Sequence, residues 1–316
     1  MASPLHVLAG ALHDSAGRVL LAERPAGKHL AGLWEFPGGK REPGEAPLAA
    51  LARELDEELG IALVEAAPLI RVPWRYHERE LLLDAWCVTR WRGEPRPLEG
   101  QGLQWCVPAQ ADPATLAPAD RAILQVLRLP PHYLITPAEA LPAEREPWFG
   151  RIARAIEAGE RLVQLRLPLW PREAVRELAA RLLPLARECG AQLLLNADVE
   201  GARELGIGVQ LTGAQLAGLG ERPLPLQQVV GSSCHDAVQL AQALRLGADF
   251  ATLSPVAATA SHPQAQPLGW APFQALAEAA AMPVYALGGM TPAQLAQARA
   301  AGAQGVAGIR GFWSAS

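Results

Sequence analysis

Gly39, five residues, Glu45, seven residues, then Arg53-Glu54-Leu55-Asp56-Glu57-Glu58-Leu59-Gly60-Ile61: this run decides how the first part of the chain is read. Apolar residues fall at Leu48, Leu51, Ala52, Leu55 and Leu59, which is helical spacing and predicts a helix over Pro47–Leu59. Proline suits the first helical turn, and glycine suits the position just past a helix end, where Gly60 stands. On such a helix Glu54, Glu57 and Glu58 are three or four residues apart and share one face. Three carboxylates that close repel unless a cation stands between them. An all-oxygen set with open positions suits Mg2+, or Mn2+ in its place. Gly38-Gly39 let the backbone turn tightly beside that face, and Arg53 is expected to point off it, where it can hold a carboxylate. A solvated acidic face is the plain alternative for a Glu cluster. Glycines, Glu45, Arg53 and Gly60 all in register argue against it.

The chain has 316 residues, half of them apolar and 19% charged, with a net charge of −4. That length allows two domains. That balance speaks against a nucleic-acid polymer as partner, since a basic stripe would be needed. No apolar run reaches the roughly 18 residues of a membrane span. The first residues lack a basic start and an unbroken apolar stretch, so no signal peptide is expected. Cys87, Cys106, Cys189 and Cys234 lack metal-ligand spacing and read as reduced thiols of a cytoplasmic protein.

Two halves are expected, residues 1–129 and 130–316, around a stiff Leu129-Pro130-Pro131-His132 linker. The first alternates strands (5–12, 19–22, 69–72, 81–90, 102–107) with helices at 47–59 and 120–128, an α+β pattern. In the second, short apolar runs begin at Tyr133, Leu162, Gln192, Val209, Gln228, Phe250, Val284 and Gly305, separated by alanine-rich helical segments. Eight strands with helical crossovers imply a small α/β (β/α)8 TIM barrel. After the eighth strand only Ile309–Ser316 remain, too few for a full closing helix. That helix is expected to be missing or replaced by a partner surface, the one sign of an oligomer.

The run of the first paragraph resembles the Nudix box of hydrolases that cut diphosphate linkages. Leu33-Trp34-Glu35-Phe36-Pro37-Gly38-Gly39-Lys40 and Arg90-Trp91-Arg92-Gly93-Glu94-Pro95 resemble its MutT branch, which acts on 8-oxo-dGTP. The resemblance implies Mg2+-dependent attack of water on the β-phosphorus of a nucleoside triphosphate, and hence a role in nucleotide-pool sanitation. It makes Glu54, Glu57, Glu58 and the Gly38 carbonyl metal ligands. Glu99 becomes the base or a further ligand, and Arg24, His29 and Arg79 hold the nucleotide. Where that branch has Asn, this chain has Asp120. Asn both accepts from N7–H and donates to O6 of the oxidised base, whereas ionised Asp only accepts. Asp120 is read either as a base-edge contact or as the N-cap of the helix it begins.

From Tyr133 to Phe312 the chain resembles thiamine phosphate synthases and TenI-like thiazole tautomerases. The matching residues are Gln164-Leu165-Arg166, Asn196-Ala197-Asp198, Gly231-Ser232-Ser233-Cys234-His235, Leu287-Gly288-Gly289 and Gly308-Ile309-Arg310-Gly311. The resemblance implies that Arg166, Ser233, Gly288, Gly289, Gly308 and Gly311 bind a thiamine-related phosphate. It departs at Ala197 and Gln215, where acids are expected, and at Pro168, where a lysine is expected. Losing two carboxylates and a cation removes the means to neutralise a departing pyrophosphate, so synthase activity is not expected. His235 suits proton transfer on a thiazole phosphate, or is a helix-start residue capped by Ser233. Three readings follow: a hydrolase fused to a TenI-like enzyme, a hydrolase fused to a non-catalytic binding module, or a Nudix enzyme acting on a thiamine-pathway diphosphate.

Overall fold

In the computed structural model the described residues are 4–76, 79–259, 264 and 266–313. The chain divides into two compact units, with the boundary in sequence between Arg128 and Leu129. In the first, β1 (Leu5–Leu12), β2 (Val19–Glu23) and β3 (Trp34–Glu35) precede α1 (Pro47–Leu59); β4 (Ala62–Tyr76), β5 (Arg79–Arg92), β6 (Leu103–Cys106) and α2 (Asp120–Arg128) follow. They make two three-stranded sheets, β1-β5-β4 and β3-β2-β6, with β1 parallel to β5 and the other pairs antiparallel. Helix α1 buries Ala50, Leu51, Leu55 and Leu59 against Leu8, Leu12, Leu20, Ile61 and Val88. Pro47 opens α1, and Gly60 closes it in the left-handed conformation at φ 67°.

Two strands depart from the sequence reading. Strand β4 is far longer than 69–72, because Pro68 and Pro73 interrupt the pattern without ending the strand. β4 is the edge of its sheet, where a missing N–H is tolerated, and register shifts at Leu63/Glu65, Glu65/Ala66 and Pro68/Ile70 absorb the misfit. Strand β3, only two residues long, has no periodicity to reveal it.

In the second unit the strands are β7 (His132–Ile135), β8 (Leu162–Leu165), β9 (Gln192–Asn196), β10 (Gly208–Leu211), β11 (Val230–Cys234), β12 (Phe250–Leu253), β13 (Val284–Ala286) and β14 (Gly305–Gly308). All neighbours are parallel, and β14 pairs with β7 to close the barrel. The crossovers carry α3 (Arg145–Glu157), α4 (Arg172–Glu188), α5 (Val199–Leu205), α6 (Gly213–Gly218), α7 (Ala237–Leu246), α8 (Trp270–Ala279) and α9 (Leu295–Ala300). One apolar cluster lies between strands and helices. A second, with Tyr133, Leu162, Leu194, Phe250 and Tyr285, contains no helix residue and fills the barrel's interior.

Three expectations change here. Strand β11, Val230–Cys234, starts two residues after the expected Gln228 and ends three residues past the expected Gly231, which puts His235 immediately after it. The linker is part of the barrel: Leu129 is buried in the interior cluster, and the Tyr285 hydroxyl donates to the Pro130 carbonyl at 2.5 Å. The closing helix is present as one turn, α10 (Arg310–Trp313). Trp313 replaces the missing length, packing edge-on against Trp148 at 5.5 Å while its Nε1–H donates to the Ile135 carbonyl at 2.8 Å. No helix among the described residues is long and apolar enough to cross a membrane, and all four cysteines are free.

Candidate functional site

The acidic face of α1 is organised by Arg53, which lies one helical turn before Glu57. Its guanidinium donates to both Glu45 oxygens at 3.2 and 3.1 Å, to Glu54 at 2.9 Å, to Glu57 at 3.3 Å and to the Lys40 carbonyl at 3.1 Å. Arg53 therefore reaches onto the face it was expected to avoid. It binds the helix to the Gly38–Glu45 loop, and its hydrogen bonds hold the Glu45 carboxyl below the usual range.

Gly38 is required by contact as well as by conformation, Gly39 by contact with the Glu54 side chain. At Gly38, φ is +146° and a Cβ would lie 2.2 Å from the Leu8 carbonyl oxygen. At Gly39 a Cβ would lie 2.1 Å from Glu54 Oε2, so only glycine lets that carboxylate sit against the loop. The flanking peptides are anchored to β1: the Pro37 carbonyl accepts from Gly10 and the Gly39 carbonyl from Leu8, each at 2.8 Å.

Glu58 accepts the Gly38 N–H at 3.1 Å. Its carboxyl is pushed up to about 7 by burial, with the charges of Glu35, Glu99 and Glu54 adding to the rise. Glu99 lies on an exposed loop and pairs with Lys28 at 3.2 Å. Gln101 fixes that loop: it accepts the Glu99 N–H at 2.9 Å and donates to the Glu58 carbonyl at 3.1 Å. Among the described residues no three His, Cys, Asp or Glu side chains close on one point; Arg53, Gly38 and Lys28 hold the carboxylates instead. The donor set nevertheless fits a hard divalent cation. Four carboxylates, Glu35, Glu54, Glu58 and Glu99, share one field, and Glu54 rests in a cradle that a Cβ would fill.

Arg24 forms an ion pair with Glu35 and donates from Nε to the His29 carbonyl at 2.7 Å. The His29 ring meets Tyr76 edge-on at 5.3 Å, and the Tyr76 hydroxyl accepts the Ala119 N–H at 3.2 Å. Asp120 is the first residue of α2 and does not cap it from outside. Its buried carboxylate crosses to the Phe36 N–H at 2.9 Å. Burial pushes the Asp120 carboxyl up to about 7, and the Glu35 charge adds to the rise. Arg24, His29 and Asp120 are thus brought together, while the Arg79 side chain lies outside the described residues. Glu35, Tyr76, Lys28 and Gln101 were not anticipated. The one signal was Glu35, a lone charge inside the apolar run Leu33–Pro37.

The Asp120 shift has a stability consequence. Its carboxyl moves from 3.8 to about 7 on folding, so between those values the folded chain binds more protons than the unfolded one. Stability from this group is therefore lost as pH rises through that window. Asp120→Asn keeps an acceptor for Phe36 and removes the charge. The variant is expected to gain melting temperature over the parent by about 5 °C near pH 8 and far less near pH 4–5, read by calorimetry. An equal difference at both pH values would show that Asp120 is ordinary in acidity.

In the barrel, Gln164, Asn196, Gln210 and Ser233 stand at or near the C-terminal ends of β8, β9, β10 and β11. Gln164 donates to Asn196 at 2.8 Å and Gln210 to Ser233 at 3.1 Å; the Tyr133 hydroxyl lies 3.2 and 3.0 Å from the two glutamine oxygens. The network is uncharged. At the expected metal site Gln215 donates to the Ala197 carbonyl at 2.8 Å, stapling the two loops where acids were expected. The neighbouring acid is taken: Asp198 forms a two-point pair with Arg176 at 2.7 and 2.8 Å and caps α5. Ala197 has φ 61°, a left-handed conformation that Asn and Asp adopt more readily than alanine.

A cavity opens where the loops after β13 and β14 meet, with Gly288, Gly289, Thr291, Gly308, Arg310 and Gly311 in its wall. Gly288 and Gly289 have φ of +100° and +68°. A Cβ at Gly308 would lie 2.3 Å from the Phe312 ring, and one at Gly311 2.9 Å from the Met290 carbonyl. Arg166 and Ser233 are not in that wall. The Arg166 backbone N–H donates to Thr136 at 2.7 Å. His235 is exposed, with Nδ1 2.7 Å from the Ser254 carbonyl oxygen. A carbonyl only accepts, so Nδ1 carries the proton in the neutral ring and Nε2 is the acceptor. The cap of α7 is Asp236, which accepts from Gln239 at 2.8 Å, and not Ser233.

The two units join an α+β fold carrying a buried acidic cluster to a closed eight-stranded parallel barrel. The chain belongs to both the Nudix family and the thiamine monophosphate synthase family, whose models match residues 8–126 and 132–312. The first unit is 43% identical to the CTP pyrophosphohydrolase of Escherichia coli K12 over 36% of this chain and 85% of that protein. It is 42% identical to an 8-oxo-dGTP diphosphatase of Proteus vulgaris over 28% of this chain and 80% of the relative. The second is 32% identical to a putative thiamine-phosphate synthase of Aquifex aeolicus over 59% of this chain and 99% of the relative.

Proposed function

We propose that the first unit hydrolyses a nucleoside triphosphate to the monophosphate and pyrophosphate with Mg2+, and that 8-oxo-dGTP is its substrate. The observation that carries this reading is the acidic field around Glu58, set against a loop that only glycine permits. Glu54, Glu57, Glu58 and the Gly38 carbonyl would hold the ion. When bound, it polarises the phosphate chain and offsets charge on the departing group. Glu99, tied through Gln101 to the end of α1, orients the attacking water. Arg24, His29 and Arg79 hold the nucleotide. A second reading, cytidine triphosphate, is favoured by Asp120. An ionised carboxylate accepts from an exocyclic amino group such as cytosine N4, the pairing acids make with that base. Initial rates of the full chain on 8-oxo-dGTP, dGTP and CTP decide between them: kcat/KM highest for 8-oxo-dGTP supports the first, and highest for CTP replaces it with the second.

The barrel binds a thiamine-related monophosphate and does not make thiamine phosphate. Gln215 and Ala197 stand where two ligand charges are needed, and Pro168 where a cation is needed. The full chain, given pyrimidine diphosphate and thiazole phosphate, is expected to form no thiamine phosphate; turnover would contradict this. Ala197→Asp with Gln215→Asp is expected to raise Mg2+ affinity of the barrel even if turnover does not return, read by calorimetric titration against the parent. His235, with Nε2 as the accepting nitrogen, is the residue that would move a proton in a TenI-like reaction. Loss of tautomerase turnover in His235→Asn, where the parent turns over, would establish that role; no turnover in either makes the barrel a binding module.

A further inference from the structure

A buried acid of the first unit begins a chain of contacts that ends on the acidic face of α1. Asp84 stands on β5, the middle strand of its sheet, and is 1% exposed. A carboxylate so placed needs partners. One of its oxygens lies 3.1 Å from His6 Nε2 on β1 and 3.3 Å from Arg71 Nε on β4. The second ring nitrogen of His6, Nδ1, lies 3.2 Å from Arg41 Nη1. Arg41 follows the glycine loop, which runs beside β1, and its backbone N–H donates to the His6 carbonyl at 2.9 Å. From there Arg41 Nε donates to the Glu45 carbonyl at 2.5 Å. Glu45 is the carboxylate that Arg53 grips while the same guanidinium holds Glu54 and Glu57.

The partners fix the state of the imidazole. A guanidinium only donates, so Nδ1 is an acceptor and carries no proton. A carboxylate accepts, so the proton sits on Nε2. The ring is therefore neutral in this arrangement and joins an acceptor on one side to a donor on the other. The charged groups that meet it are Asp84 from β5 and Arg41 from the loop, with Arg71 of β4 behind Asp84. Protonation would set Nδ1–H against the guanidinium and break the link to Arg41, while the link to Asp84 would survive.

We infer that His6 is a positioning residue for the metal face: its neutral ring aims Arg41 at the Glu45 carbonyl, and protonation slackens the Gly38–Glu45 loop. The inference rests on reading the acidic face of α1 as the site of a divalent cation. His6, Arg41 and Asp84 all lie outside the fixed positions of the Gly39–Ile61 run, so that run alone does not reveal them.

The test is Mn2+ binding to the full chain without substrate, by calorimetric titration, with the site counted as the one lost in Glu58→Gln. Near pH 8, His6→Leu is expected to weaken Mn2+ by about threefold to tenfold, less than the loss of a group that touches a ligand directly. His6→Gln can donate to Asp84 and accept from Arg41, and it cannot be protonated; it is expected to stay within about twofold of the parent. Arg41→Met is expected to weaken Mn2+ at least as much as His6→Leu. Both changes together are expected to match Arg41→Met alone, because His6 acts through Arg41. Imidazoles as a class change charge between about pH 5 and 8, so from near pH 8 to near pH 6 the parent is expected to lose about threefold more affinity than His6→Gln. Glu58, pushed up to about 7, titrates in both chains, and only the difference between them reports on His6. Binding as weak in His6→Gln as in His6→Leu, additive losses in the double variant, or an equal loss on acidification overturns the inference and leaves the metal site standing. A parent chain that binds no Mn2+ overturns the metal site and the inference together.

Discussion

Glu57→Gln is expected to lower kcat for triphosphate hydrolysis by on the order of 10²-fold or more, the scale for losing a main electrostatic or acid–base group. The position isolates chemistry from folding. Its side chain is 59% exposed, and its ion pair is with Arg53 at 3.3 Å. An exposed pair of that kind is worth about 0–1 kcal/mol, so the melting temperature should barely move. Arg53 keeps Glu45 and Glu54 as partners in the variant. A large fall in kcat with intact stability assigns Glu57 to the ion. A near-normal kcat would remove it from the site and leave Glu54 and Glu58 to hold the metal. Steady-state kinetics beside a thermal melt separate the two outcomes.

Asp120→Ala is expected to erase most of the preference between 8-oxo-dGTP and dGTP while leaving both hydrolysed. A buried polar contact to a base edge discriminates by roughly 1–3 kcal/mol, or about fivefold to 150-fold. Asp120→Asn sharpens the comparison. It supplies a donor and an acceptor whatever the pH, which suits O6 and N7–H of the oxidised base, and it removes the charge that suits cytosine N4. The ratio of kcat/KM for 8-oxo-dGTP over CTP should therefore rise by about tenfold or more. If both variants leave all ratios unchanged, Asp120 serves only to fix the Phe36 N–H at the end of β3, and selectivity lies with Arg24, Glu35 and Tyr76.

Much of this was legible in the sequence, for reasons that differ by element. Helix α1 was readable to both ends because Pro47 and Gly60 act locally, and its three glutamates because helical spacing alone puts them on one face. The barrel strands were readable as short apolar runs between alanine-rich segments. What escaped notice depends on contacts between distant residues. Glu35 gains meaning only beside Arg24 and within reach of Asp120, and Gln101 only where it meets Glu58. Strand β4 hid behind two prolines that only an edge strand tolerates. In the barrel, Gln215 read as a missing acid; its hydrogen bond to Ala197 makes it a staple as well. Asp198 read only as part of a matching motif, and its pairing with Arg176 gives it a structural use.

The most direct test of the account is product analysis of the purified full chain acting on 8-oxo-dGTP and CTP, with Mg2+ and with excess EDTA. With Mg2+, nucleoside monophosphate and pyrophosphate are expected in equal amounts from the preferred substrate, and with EDTA neither. Release of orthophosphate, or hydrolysis undiminished by EDTA, would contradict it.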